Sequence, residues 1–190
     1  MDIIENAFNY EGFTSKFSLA VMKNLCSFLK EKNKKLNTAE IGYYKGRTTS
    51  LVLNAGSENH IIIDRYNSPL EEHLNDSRVR FFKKPSRFIE PDLYKDFGSL
   101  DFIFLDGGHN RTDLWNDLSL ANKLLSYEGI LLVDDINYEL FPELVKCLDE
   151  YCALTEDFFK IALIDSRQMI LARSESFLEY YKYCFFFFSN

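Results

Sequence analysis

The chain has 190 residues, with 22 Lys and Arg against 29 Asp and Glu for a net charge of −7, and 46% of its residues are hydrophobic. That length predicts one domain able to bury about 70% of its unfolded surface, and the acidic balance argues against a nucleic-acid partner, whose phosphates are held by Lys and Arg. No run approaches the roughly 20 apolar residues of a membrane helix, and the N-terminus lacks the basic-then-apolar pattern of a secretory signal. The four cysteines, Cys26, Cys147, Cys152 and Cys184, form no CxxC pair, which disfavours a disulfide framework or a zinc site and suits a cytoplasmic location.

Taken in chain order, residues 1–35 read as a short helical cap, in which Leu19, Met22, Cys26 and Leu29 recur on one face. Strands are predicted at Asn37–Gly42, His60–Asp64, Val79–Lys83, Asp101–Asp106, Ile130–Asp134, Phe159–Ile164 and Gln168–Ala172. Helical faces lie between them, one carrying Leu114, Leu118, Ala121 and Leu125 and the next Leu140, Leu144 and Leu148, with Pro142 in its first turn. Apolar strands alternating with helices predict a doubly wound α/β fold with a mainly parallel sheet. Only Asp165, Ser166 and Arg167 separate the last two strands, so these pair as an antiparallel hairpin. Residues 174–190 are rich in aromatics; packing on the domain's own sheet or on a second subunit is expected ahead of a membrane-surface contact. No repeat or linker marks a boundary, so 1–190 reads as a single domain.

Ligands of such sheets bind beyond the carboxyl ends of the strands, which directs attention to the residues after each one. Gly42 ends the first strand and Gly46 opens the next helix, giving a tight turn with close backbone approach. Tyr44 stands where a pyrophosphate-binding loop needs glycine, which points to a ligand without phosphates. Asp64, 22 residues beyond Gly42, is placed either to accept from a ribose diol or to cap a turn. Asp106, Asp134 and Asp135 close adjacent strands about 5 Å apart. Three carboxylates that close take up protons unless a cation sits among them, and Mg²⁺ suits their hard oxygens. His109 follows Asp106 across a Gly-Gly turn and would bring a base beside that metal. The plainer alternatives are that Asp134 and Asp135 cap a helix and that His109 is a loop residue without a task.

Together, Glu40-Ile41-Gly42 with Gly46 and Thr48, the acid Asp64, the segment Asp106-Gly107-Gly108-His109 and the segment Val133-Asp134-Asp135 resemble class I S-adenosylmethionine-dependent methyltransferases. The branch with E-x-G-x-x-x-G-x-[ST] and D-G-x-H is most similar, including macrocin-type O-methyltransferases, with a layout like that of the catechol enzymes. The resemblance implies a Rossmann-like seven-stranded sheet of order 3-2-1-4-5-7-6 with strand 7 antiparallel. It implies a cofactor pocket of Glu40, Gly42, Tyr43, Gly46, Thr48, Asp64, Ser86 and Asp106, with Asp64 on the ribose and Ser86 near the adenine. Asp106, Asp134 and Asp135 would hold Mg²⁺ or another divalent ion, and His109 would be the catalytic base for O-methylation of a small hydroxylated molecule. Two departures stand out: Lys84-Pro85 replaces a small Gly-containing pair, and Asp135 replaces an amide. The short N-terminal cap leaves the acceptor side open or completed by another subunit, so a homodimer is considered. The rival readings are a non-catalytic binding or scaffold module and a nicotinamide-dependent oxidoreductase; against the latter, no Tyr is followed four residues later by Lys.

Overall fold

The computed structural model describes residues 2–90, 99–173 and 176–188. Its strands are β1 (Asn37–Ile41), β2 (Asn59–Ile63), β3 (Val79–Phe82), β4 (Leu100–Leu105), β5 (Leu125–Val133), β6 (Phe158–Ile164) and β7 (Gln168–Arg173). They form one sheet of order β3-β2-β1-β4-β5-β7-β6. β7 runs antiparallel to both β5 and β6, while the other neighbouring pairs are parallel. Strand order therefore reverses between β1 and β4, the position where this class of sheet opens a crevice. The predicted architecture and strand order are those observed.

Helices cover both faces. They are α1 (Ile3–Phe8), α2 (Lys16–Asn33), α3 (Arg47–Asn54), α4 (Glu71–Leu74), α5 (Arg111–Leu124), α6 (Glu143–Thr155) and α7 (Phe177–Phe188). The central strands are buried on both sides, which is why β4, Leu-Asp-Phe-Ile-Phe-Leu, is apolar apart from Asp101. Ala39, Ile41, Ile103, Leu105, Leu131 and Val133 point to the layer of α5 and α6. Phe102, Phe104, Ile130 and Leu132 point to the opposite layer, where Leu19, Met22, Cys26 and Leu29 of α2 meet them. Local chemistry sets the helix starts. The Ser15 hydroxyl accepts from the Ser18 N–H at 3.1 Å to cap α2, and the Asn110 carboxamide oxygen accepts from the Asp113 N–H at 3.0 Å to cap α5.

Three details differ from the sequence pattern. Leu125 does not extend the face of α5; it turns to φ −68°, ψ 131° and starts β5, five residues ahead of Ile130. Leu140 lies outside α6 and is 69% exposed, because Pro142 caps the helix and the buried face begins at Leu144. The aromatic tail is a helix. Tyr180 and Cys184 of α7 are buried against Ile164, Ile170 and Ala172, and the Tyr180 phenol donates to the Glu128 carbonyl. The expected packing on the chain's own sheet is thus found for these residues, and among the described residues no helix is long and apolar enough to cross a membrane.

Candidate functional site

The carboxyl ends of β1, β2, β4 and β5 are tied together by main-chain hydrogen bonds that continue the sheet into the loops. Gly42 N–H donates to Ile63 C=O at 2.9 Å, Asp106 N–H to Ile41 C=O at 2.8 Å, and Asp134 N–H to Leu105 C=O at 2.8 Å. Gly42 adopts φ +95°, and a Cβ there would lie 1.9 Å from the Asp106 carbonyl oxygen; only glycine lets the two loops approach this closely. Beside this junction opens a cleft of about 430 Å³, lined by Gly42, Asp64, Arg65, Ser86, Gly107 and Asp117 among others.

Asp64 is the most fully engaged of the expected site residues. Its Oδ1 accepts from the N–H groups of Tyr66 and Asn67, both at 2.7 Å, and its Oδ2 from Tyr43 N–H at 2.9 Å and the Asn67 carboxamide at 3.1 Å. Burial alone would raise its pKa, but these four donors outweigh that and hold the carboxyl below its ordinary value. Ser86 is also at the cleft, at the start of a short 3₁₀ turn. Glu40, Tyr43, Gly46 and Thr48 are not among the residues lining the cleft. Glu40 is fully buried, accepts from the Thr49 hydroxyl and lies 3.6 Å from His60 Nε2. The Tyr43 phenol pairs with His73 Nδ1 at 2.7 Å and accepts from Leu70 N–H at 3.0 Å. Gly46 caps α3 in the left-handed region, and Thr48 is buried two residues further on. Tyr44 turns outward, its phenol donating to Glu11 at 2.8 Å and its ring 5.4 Å from that of Phe13.

Across the junction, Asp106, His109 and Asp135 converge, each offering one ligand atom within 4.8 Å of the others. His109 Nε2 lies 3.1 Å from Asp135 and 3.8 Å from Asp106, and its ring stacks on Phe141 at 4.4 Å. Its two acidic partners push the imidazole up to about 10, so it carries a proton in this arrangement. Burial, reinforced by Asp134 and Asp135, pushes the Asp106 carboxyl above the usual carboxylate range. Asp134 is turned away from the cluster: its Oδ1 accepts from Asp135 N–H at 2.7 Å and its Oδ2 from Gln168 Nε2 at 3.0 Å. Asp135, at φ +57°, instead reaches His109 and Arg167, whose Nε donates to it at 3.0 Å.

Arg167, Gln168 and Asp117 lie outside the expected site residues. The first two sit at the hairpin, opposite β5 and within reach of its acids; only the strand pairing reveals this. Asp117 carries a readable signal, since it shares the buried face of α5 with Leu114, Leu118 and Ala121.

A family model described as a methyltransferase domain matches residues 39–136, which run from β1 through the end of β5. The chain belongs to the methyltransferase domain family. This methyltransferase domain is 28% identical over 169 residues to an uncharacterized protein of Acanthamoeba polyphaga mimivirus, covering 80% of this chain and 72% of that protein. Among solved structures it is similar to the O-methyltransferase NovP, with 18% identity, a TM-score of 0.65 and coverage of 84% of this chain and 80% of the other. It is similar to the SAH-bound Podospora anserina methyltransferase PaMTH1, at 17% identity and TM-score 0.59, covering 90% and 86%. A third likeness is to MycE in complex with Mg, SAH and mycinamycin VI, at 14% identity and TM-score 0.67, covering 91% of this chain and 54% of MycE. The fold of this methyltransferase domain is that of the class I S-adenosylmethionine-dependent enzymes.

Proposed function

We propose that the protein transfers a methyl group from S-adenosylmethionine to an oxygen of a small hydroxylated molecule. The observation that carries this reading is the adjacency of two sites at the carboxyl end of the sheet: the cleft of Asp64 and Ser86, and the Asp106–His109–Asp135 cluster. The first suits a nucleoside without phosphates, since Asp64 presents an ionised carboxylate to a ribose and Tyr44 occupies the place of a phosphate-binding glycine. The second sets an imidazole and two carboxylates beside the cleft, on the side from which an acceptor would approach the methyl donor. Bringing donor and acceptor into line is the main contribution such a pocket can make.

The carboxylate oxygens of Asp106 and Asp135, within 4.8 Å of each other and of the His109 imidazole, fit a hard divalent cation. Asp106 and Asp135 are the residues that would hold it, with Asp134 joining only if it leaves Gln168, so that the imidazole of His109 stays beside the cation and free of it. A cation there would offset the charge of both carboxylates, lower the proton affinity of His109 and acidify an acceptor hydroxyl. Phe141 keeps the imidazole at the mouth by stacking on it, and Arg167 holds Asp135 from the opposite side. His109 is the group positioned to take the acceptor proton, a role typically worth about 10² to 10⁴ in rate.

Isothermal titration of S-adenosylhomocysteine, with NADH as control and with Mg²⁺ or EDTA, tests the reading. Micromolar binding of the sulfur nucleoside without binding of NADH is expected. Absence of binding in both metal conditions would defeat it.

A further inference from the structure

Asp117 is a buried acid that neither the methyl transfer nor the carboxylate cluster uses. It is 4% exposed, projects from the inner face of α5 and lines the same cleft as Asp64, beside the Ser86 hydroxyl. Main chain passes directly over it, for a Cβ on Gly107 would lie 2.6 Å from its Oδ2. One helical turn earlier, Asp113 takes a two-pronged hydrogen bond from Arg65, at 3.2 and 2.8 Å, and a further one from the Asn110 carboxamide at 2.7 Å. The guanidinium of Arg65 is thereby held as a fixed planar wall of the same cleft. A planar cation, a proline ring at Pro85 and a bare Gly-Gly turn line this cleft together with Asp117, which suits a flat heteroaromatic base.

A base with donors at its edge satisfies a buried carboxylate; a base with an acceptor there leaves two acceptors facing each other. We propose that Asp117 selects the base of the bound nucleoside, its carboxylate accepting a hydrogen bond from the 6-amino group of adenine, while the Arg65–Asp113 pair covers the ring face. This rests on the cofactor reading above and extends it to a specificity-determining residue. A hypoxanthine ring, with a carbonyl at position 6, would meet the carboxylate acceptor to acceptor.

The test compares S-adenosylhomocysteine with S-inosylhomocysteine by calorimetry at pH 8, on the wild-type chain and on Asp117→Asn. The wild-type protein should prefer the adenosyl compound by roughly 10- to 100-fold, the range expected for one mismatched buried hydrogen bond. Asn can turn either its oxygen or its amide to position 6, so the preference in Asp117→Asn should fall to about threefold or less. A purely supporting role for Asp117 would weaken both ligands together and leave the ratio unchanged, which would overturn the proposal. So would equal binding of the two compounds by the wild-type protein, a result that needs no variant. Failure of the wild-type protein to bind either compound would instead defeat the cofactor reading, and this proposal with it.

Discussion

Replacing Gly42 with Ala separates the two demands made on this residue. The first is conformational: φ +95° is a region that a side-chain-bearing residue enters at about 1 to 2 kcal/mol. The second is steric, because the new methyl would lie 1.9 Å from the Asp106 carbonyl oxygen and 2.5 Å from its carbonyl carbon. Those atoms are main chain at the end of β4, pinned by the Asp106 N–H bond to Ile41, so they cannot swing aside as a side chain would. Overpacking of this kind adds roughly 1 to 3 kcal/mol. Gly56 provides the internal control, since it has a similar φ of +93° but its nearest neighbour is the flexible end of Lys30 at 2.2 Å. Gly56→Ala should therefore carry only the conformational part. For a chain of this length about 1 kcal/mol corresponds to ~2–4 °C in Tm. Gly42→Ala is expected to melt about 4–20 °C lower than wild type, Gly56→Ala no more than about 8 °C lower, and only the former should also lose S-adenosylhomocysteine binding. Scanning fluorimetry with and without ligand reads both quantities. Equal melting of the two variants would show that the junction between β1 and β4 yields, and the account of the cleft floor would be wrong.

Two further outcomes follow from the same side chains. Asp64 already accepts four hydrogen bonds, about as many as a carboxylate has lone pairs for, and the longest comes from the Asn67 carboxamide at 3.1 Å. A ribose hydroxyl must displace that contact, so Asn67→Ala should tighten S-adenosylhomocysteine binding about two- to tenfold by calorimetry; weaker binding would contradict the displacement. Asp117 gives a pH signature. Burial raises its carboxyl to about 7 in the folded chain, with Asp113 adding to the shift and Ser86 and Arg65 opposing it. A raised folded pKa stabilises fully below the unfolded value near 4, and that contribution disappears as pH rises through about 7. The wild-type Tm should therefore fall relative to that of Asp117→Asn between pH 5 and 8, by an amount corresponding to a few kcal/mol; parallel curves would show that the carboxyl ionises in the folded chain as easily as in water.

Much of this arrangement is legible before any coordinates. The stretches Phe102–Leu105 of β4 and Ile130–Val133 of β5 are apolar at every position because helices cover both faces, and the polar residues that follow them, Asp106 and Asp134, mark the strand ends to within one residue. Asp64 and Ser86 are legible for the same reason, each following a strand that points at the cleft. What spacing does not carry is side-chain direction once the chain leaves the sheet. Asp134 and Asp135 are adjacent, yet one turns to Gln168 and the other to His109 and Arg167, a divergence set by the left-handed backbone at Asp135 and by a hairpin more than thirty residues away. Glu40 similarly meets Thr49 and His60 under α3, partners that belong to other elements. Leu125 illustrates the converse, since an apolar residue satisfies a helical face and a buried strand equally well.

The three main-chain bonds that link Gly42, Asp106 and Asp134 to neighbouring strands have a consequence for how such a chain can change. The floor beneath the proposed reaction is made of peptide groups, whose spacing is indifferent to which side chains surround them. A second, smaller recess that reaches this floor at Asp134 is lined by separate pieces of chain: Phe13, Ser15 and Ser18 from the approach to α2 and its first turn, and Asp165, Arg167 and Gln168 from the hairpin. Substitutions there can reshape this recess without moving the floor. The shape of the recess is thus open to small steps, whereas a substitution at Gly42 disturbs the whole floor at once.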